Sequence, residues 1–270
     1  MAHQGTAHRQ TLTALITGAS SGLGAEYARQ LTARGDSVVL VARDRQALDT
    51  LAAELRARGA AGVPATGRVE VLSVDLLDDN QLAQVIERLR DDNAPIGMLI
   101  NNAGFGLPLS FESNEIEAET QHLRLHNEVP MRLTHAALQV MLARGHGRIV
   151  NMASVAAFIP RSTYAAAKQW LVGFSRWANA RYRKRGVTVT AVCPGFTHTN
   201  FHERLGLPPG QEGVPSWMWL DAKKVVSASL RDIERGKSLS IPSLKYKVLA
   251  GVARVVPAGL AANVGKRGRL

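Results

Sequence analysis

The segment "TLTALITGASSGLGAEYARQLTARG" (residues 11–35) decides the fold. Its first part, "TLTALIT" (11–17), is apolar and β-branched, the pattern of a buried strand. Its last part, "GAEYARQLTARG" (24–35), places Ala28 and Leu31 on one helical face, with Gly35 as the stop. Between them Gly18, Gly22 and Gly24 follow the spacing G-x-x-x-G-x-G. Glycine permits a tight turn and lets an anion approach the main chain. The helix that follows aims N–H groups and its positive dipole end at that anion. The alternative is a glycine-rich turn that holds no ligand.

The same alternation continues outward. Strand patterns fall at 37–42, 69–76, 96–104 (with its exit loop), 147–154 and 187–195, with a short one near 238–241. Helical patterns fall at 44–59, 80–90, 119–143, 162–185 and 221–235. Asp44 is a plausible N-cap and Gly59 lies past the end of its helix. Strands without a polar face, alternating with helices, imply a parallel sheet covered on both sides. The expected architecture is a single α/β domain, a doubly wound Rossmann-type sheet of about seven strands. Ligands are expected beyond the carboxyl ends of the strands. The expected organisation is a disordered lead-in over 1–10, the dinucleotide-binding domain over 11–242 and a basic amphipathic tail over 243–270. Within the domain, 196–220 is a loop-rich insert.

Composition limits the alternatives. A chain of 270 residues can bury one sizeable core. A single cysteine excludes an internal disulfide framework and suggests a reducing, cytoplasmic setting. The sequence offers no apolar run long enough to span a bilayer. The net charge of +11 is concentrated: from Lys237 to Leu270 there are seven Lys or Arg and no Asp or Glu. The basic character is therefore local, and nucleic-acid binding by the whole domain is not expected.

The second strand ends "VLVAR" (39–43). A NAD site usually carries an acidic residue there, holding the ribose 2′-hydroxyl. Arg43 instead suits a 2′-phosphate, which a carboxylate would repel. The expected cofactor is NADP(H). Asp44 could still reach the ribose, although its role as a helix cap is the simpler account.

In "STYAAAKQW" (162–170), Tyr164 and Lys168 stand four apart across three alanines, on one face of a helix. Four further patterns accompany them: "NNAG" (101–104), "NMAS" (151–154), Asn127 in the long helix, and "PGFTHT" (194–199). Together with "TGASSGLG" (17–24), these motifs resemble the short-chain dehydrogenase/reductase family over about residues 11–241. The resemblance implies a carbonyl–alcohol oxidoreductase that transfers hydride to or from a nicotinamide. Tyr164 would be the acid/base, Lys168 would tune it and bind the nicotinamide ribose, and Ser154 would polarise the carbonyl. A free phenol titrates near ~10, and a neighbouring ammonium favours its phenolate. Asn127 would support a water-mediated proton path to the lysine; alternatively, it is a polar residue interrupting a helix beside Pro130.

The resemblance also implies cofactor contacts from Gly18, Ser20, Ser21, Gly22, Leu23 and Gly24. Asp75 and Leu76 would meet the adenine, although Asp75 could equally be a helix cap. Asn101, Ala103 and Gly104 would pass beneath the adenine ribose. Pro194, Gly195 and Thr199 would flank the nicotinamide and phosphates. The sequence departs from the usual family spacing between Ser154 and Tyr164. Only nine residues separate them, fewer than family members usually have. Ser162 is a conceivable substitute, but it suits a helix cap.

Other features carry less chemistry. Cys193 reads as packing, and the eight histidines show no metal-ligand spacing, His122 and His126 included. No metal is expected. "LPPGQEGVPSWMWLDA" (207–222) suits either a lid over an apolar, lipophilic substrate or a surface loop anchored by its tryptophans. In the tail, Leu244, Val248, Val252 and Val256 share a helical face, with Lys245, Lys247 and Arg254 elsewhere. Such a segment can pack on protein or touch an anionic membrane surface peripherally. By analogy with the family, the helices at 119–143 and 162–185 would form a homodimer or homotetramer. A cofactor-binding regulatory or membrane-associated protein with little catalysis is the competing reading. Reduction of a carbon–carbon double bond is disfavoured by the Tyr–Lys interval.

Overall fold

The computed structural model describes residues 11–60, 67–108, 110–199 and 214–255. The proposed lead-in (1–10), much of the proposed insert and the chain beyond 255, Val256 included, lie outside the described residues.

The elements run β1 (Thr13–Thr17), α1 (Gly22–Thr32), β2 (Ser37–Ala42), α2 (Arg45–Ala60), β3 (Val69–Ser73), α3 (Asp79–Arg90) and β4 (Met98–Asn101). There follow α4 (Ile116–Leu123), a π-helical turn (Arg124–Glu128), α5 (Val129–Arg144), β5 (Gly147–Met152) and α6 (Thr163–Tyr182). The last are β6 (Val187–Val192), α7 (Ala222–Glu234), β7 (Leu239–Ser240) and α8 (Leu244–Val255).

All seven strands pair in parallel in the order β3-β2-β1-β4-β5-β6-β7. In register, Leu15 faces Val39 on one side and Leu99 on the other. The two-residue alternation of β1 sends Ala14 and Ile16 to one face and Leu15 to the opposite one. On the first face they meet Tyr27, Leu31 and Leu48 of α1 and α2, with Val226 and Leu230 of α7. On the second, Leu15 meets Leu82, Val85, Leu133 and Ala137 of α3 and α5, with Ala178 of α6. Truncating one such fully buried aliphatic to alanine costs about 2–5 kcal/mol, because the cavity does not fully collapse. The order reverses between β1 and β4, so the crevice lies at their carboxyl ends.

The expected strands prove shorter at their carboxyl ends. β3 stops at Ser73, leaving Asp75 and Leu76 in the exit loop, and β5 stops at Met152, two residues before Ser154. The helix expected over 119–143 runs unbroken from Ile116 to Arg144, but a π-helical turn interrupts its α-helical bonding. Pro130 has no N–H to return to the His126 carbonyl, and the chain widens to i+5 bonding, with Val129 N donating to Arg124 O. Gly59 lies within α2, not past its end. The tail helix packs through buried Tyr246 and Ala250, whereas Leu244, Val248 and Val252 are exposed. The apolar stripe read from the sequence is therefore not the face that meets this chain's own body.

Candidate active site

The crevice is closed at its base by Thr17 and Asn102. Thr17 Oγ1 accepts from the main-chain nitrogens of Asn102 (2.9 Å) and Ala103 (3.0 Å). Asn102 Nδ2 donates back to Thr17 O (2.9 Å) and Gly18 O (3.2 Å). These bonds join the exits of β1 and β4. Gly18 and Gly22 adopt φ +65° and +57°, where a side chain is strained. A Cβ on Gly18 would lie 2.8 Å from Ala103 Cα, and one on Gly24 would strike the Gly18 carbonyl. Ser21 occupies the N-cap position of α1, Leu23 packs against the core, and Thr199 comes down beside Gly22. The cradle is thus too tight for any side chain at Gly18 or Gly24. It fits an anion approached by main chain.

At the end of β2, Ala42 is buried and the Arg43 side chain is 74% exposed, with Nη1 3.9 Å from Asp75 Oδ2. Asp44 Oδ1 accepts from Ala47 N at 2.9 Å, capping α2 as expected. Beside it lies a hollow of about 390 Å³ lined by Ser20, Asp44, Thr50 and the Arg29–Glu54 ion pair. The cap of α3 is Asp78, whereas Asp75 accepts from Leu77 N, which removes the helix-cap alternative for Asp75. Leu76 is buried in the apolar cluster beneath α3. The Asn101 side chain turns into the interior, donating to Asn151 Oδ1 (2.8 Å) and Thr134 Oγ1 (3.2 Å).

α6 carries Tyr164 and Lys168, and Ser162 caps it by accepting from Ala165 N. Lys168 is buried, and its Nζ donates to Met152 O at 2.6 Å. The same Nζ lies 5.5 Å from the Tyr164 ring centroid. Burial pulls its pKa down from the usual lysine value to about 7, partly opposed by Cys193 at the end of β6. Asn127, in the π-turn, donates Nδ2 to Ala167 O at 3.0 Å and leaves Oδ1 buried without a partner. A buried acceptor without a protein partner suits a bridging water. Ser154 caps the 3-10 turn Val155–Phe158, accepting from Ala156 N. Its hydroxyl is thereby held near the β5 exit despite the short connection to α6.

Past β6, Pro194 O accepts from Val155 N, and the Tyr246 ring fills the space over Gly195. Tyr246 also donates to Met218 O and accepts from Phe196 N, so α8 ties down this rim. Of the tryptophans in the proposed lid, Trp217 is exposed and Trp219 stacks on His198. Residues 207–213 lie outside the described residues.

The sequence reading missed Thr17, Asn102, His122 and His126. Asn102 stood inside a quoted motif, but its grip on the glycine loop depends on strand order. The sequence gives the histidines only helical spacing, and it carries no signal of what they face. Among the described residues no group of three or more His, Cys, Asp or Glu is placed to hold a metal ion.

The comparisons agree with this geometry. Residues 12–208 match the short chain dehydrogenase family. A 3-oxoacyl-[acyl-carrier-protein] reductase from Synechocystis is 32% identical over 206 residues, covering 75% of this chain and 81% of that protein. The structure of a short-chain dehydrogenase from Sphingobium yanoikuyae in complex with NADPH superposes with a TM-score of 0.80 at 34% identity, covering 96% of this chain and 98% of that one. That of a bulky-bulky ketone specific alcohol dehydrogenase from Comamonas testosteroni gives 0.76 at 32% identity, covering 97% and 98%. The glycine cradle at the β1–β4 switch point and the half-buried Tyr164 beside buried Lys168 thus sit on a chain that belongs to the short-chain dehydrogenase/reductase family of oxidoreductases.

Proposed function

We propose that this protein is an NADP(H)-dependent reductase and dehydrogenase that interconverts ketones and alcohols, with Tyr164 as acid/base. The observation that carries the reading is Lys168, buried, anchored on Met152 O and set beneath the Tyr164 ring. When bound, the nicotinamide supplies or accepts the hydride. The chain's own groups do the rest. Tyr164 gives a proton to the oxygen of the reduced carbonyl, or takes it back in oxidation. The Lys168 ammonium favours the phenolate that results. Ser154 holds the substrate oxygen and steadies the charge developing on it. Asn127 would seat a water through which the proton is replaced.

Support for NADP over NAD comes from Arg43. It stands exposed at the end of β2, where no carboxylate ends the strand. The Sphingobium relative was solved with NADPH. The Comamonas relative's preference for ketones bulky on both sides suggests a similar substrate class here. The test is a ketone panel assayed with NADPH and NADH, before and after Arg43→Ala. The expected result is a preference for NADPH that falls at least about tenfold in the variant, the size of one lost charge-assisted phosphate contact. An unchanged preference would remove Arg43 from the 2′-phosphate site.

The protein also acts as a homo-oligomer in this reading. On α6, Trp170 and Phe174 stack at 5.0 Å and 7°, Trp177 follows, and both tryptophans are exposed. Three aromatics on one helical face suit burial against a second copy. Sedimentation velocity should show a dimer or tetramer that Trp177→Asp dissociates; a monomeric parent would contradict this.

A further inference from the structure

Four rings close on one another at the site. Phe105, past β4, meets His122 at 5.5 Å. His122 meets His126 at 4.3 Å with the rings tilted by 47°, and the two lie 5.9 and 5.6 Å from the Tyr164 ring. His126 stands nearly perpendicular to that ring, at 89°. Both imidazoles are 1% exposed.

His126 Nε2 lies 2.7 Å from Phe105 O and 3.3 Å from Phe105 N. The shorter contact assigns Nε2–H as a donor to the carbonyl, which leaves Nδ1 bare. Nδ1 of His126 and Nε2 of His122 have no hydrogen-bond partner. The His126 ring also lies directly over Gly104, in the space a Cβ there would need. One side chain therefore touches both the catalytic helix and the main chain of the cofactor crevice.

Burial and the charge of Lys168 hold both histidines below their ordinary range, His122 at about 4, with Glu119 of α4 acting the other way on His122. At neutral pH the wall behind Tyr164 is uncharged; Lys168 of α6 supplies the charge beside that phenol, and Glu119 of α4 acts on His122. An unpartnered buried nitrogen costs stability, and aliphatic side chains in its place would not. The imidazole's geometry is what they could not supply.

We propose that His126, with His122 packed against it, is a positioning residue for the reaction. Its ring sets Tyr164 against Lys168, and its bond to Phe105 O holds the Gly104 main chain against the cofactor. This rests on the reading of Tyr164 as the acid/base.

The test separates the two contacts. His126→Phe keeps a ring and loses the donor; His126→Gln keeps a donor at the same reach and loses the ring. NADPH affinity is read by fluorescence. Tyr164 ionisation is read as tyrosinate absorbance of the NADP⁺ complex, with the Tyr164→Phe protein subtracted. His126→Phe should weaken NADPH at least about fivefold, the size of one hydrogen bond, and leave the tyrosine's titration in place. His126→Gln should bind NADPH within about twofold of the parent, but its Tyr164 titration should move at least about half a unit toward ~10 as the phenol drifts from Lys168. Either variant decides its own half if the other fails to fold. Parent values in both readouts, or a change in melting temperature alone, would overturn the proposal. Parent-level turnover in Tyr164→Phe would instead overturn the acid/base reading beneath it. Loss of turnover there with parent-like His126 variants would sink only the positioning role.

Discussion

Lys168 Nζ donates to the main-chain oxygen of Met152 at 2.6 Å, across the gap between the second turn of α6 and the end of β5. The bond satisfies the carbonyl, but it places an ammonium in an apolar interior. The position is a stability cost retained for chemistry.

The pH dependence follows from that burial. The lysine's folded pKa, about 7, lies below its unfolded value near ~10.4. Between those values the unfolded chain binds the extra proton, so stability rises with pH. Lys168→Met removes this slope. In calorimetry of the cofactor-free proteins, the parent should gain on the variant by on the order of 2 kcal/mol between about pH 7 and about pH 9. Turnover of the variant should collapse. Parallel stability curves would show that the lysine is not desolvated as described.

A second prediction concerns Asn102. Its side-chain amide holds Thr17 O and Gly18 O, and so fixes the cradle. Asn102→Ala should destabilise the protein by about 1–3 kcal/mol in urea unfolding, the cost of orphaned buried acceptors. NADPH binding should weaken with it. Full stability with unchanged affinity would mean that the cradle holds its shape without this clamp.

Much of this was legible in the residues. The strand–glycine–helix unit at 11–35 and its repeats dictated a doubly wound parallel sheet, because apolar strands without a polar face must be covered twice. Asp44 and Ser162 cap the helices they were expected to cap. The rest depends on what lies next to what. β1 and β4 are neighbours only in space, and Thr17 meets Asn102 across that pairing. The interruption around Asn127 was signalled by Pro130, but its π-helical form was not, since one missing N–H can be accommodated in several ways. His122 and His126 showed helical spacing only; what they face is set by how α4 packs on α6. In the tail, Tyr246 and Ala250 meet the rim while Leu244, Val248 and Val252 stay exposed, a division that helical spacing alone does not show.

The central claim is that the Tyr164 hydroxyl moves the proton. The direct measurement is NADPH-dependent ketone turnover by Tyr164→Phe, beside its NADPH dissociation constant. The account predicts turnover lower by roughly 10²–10⁴-fold, the range for loss of a general acid, with affinity within about twofold. Turnover near that of the parent would contradict it.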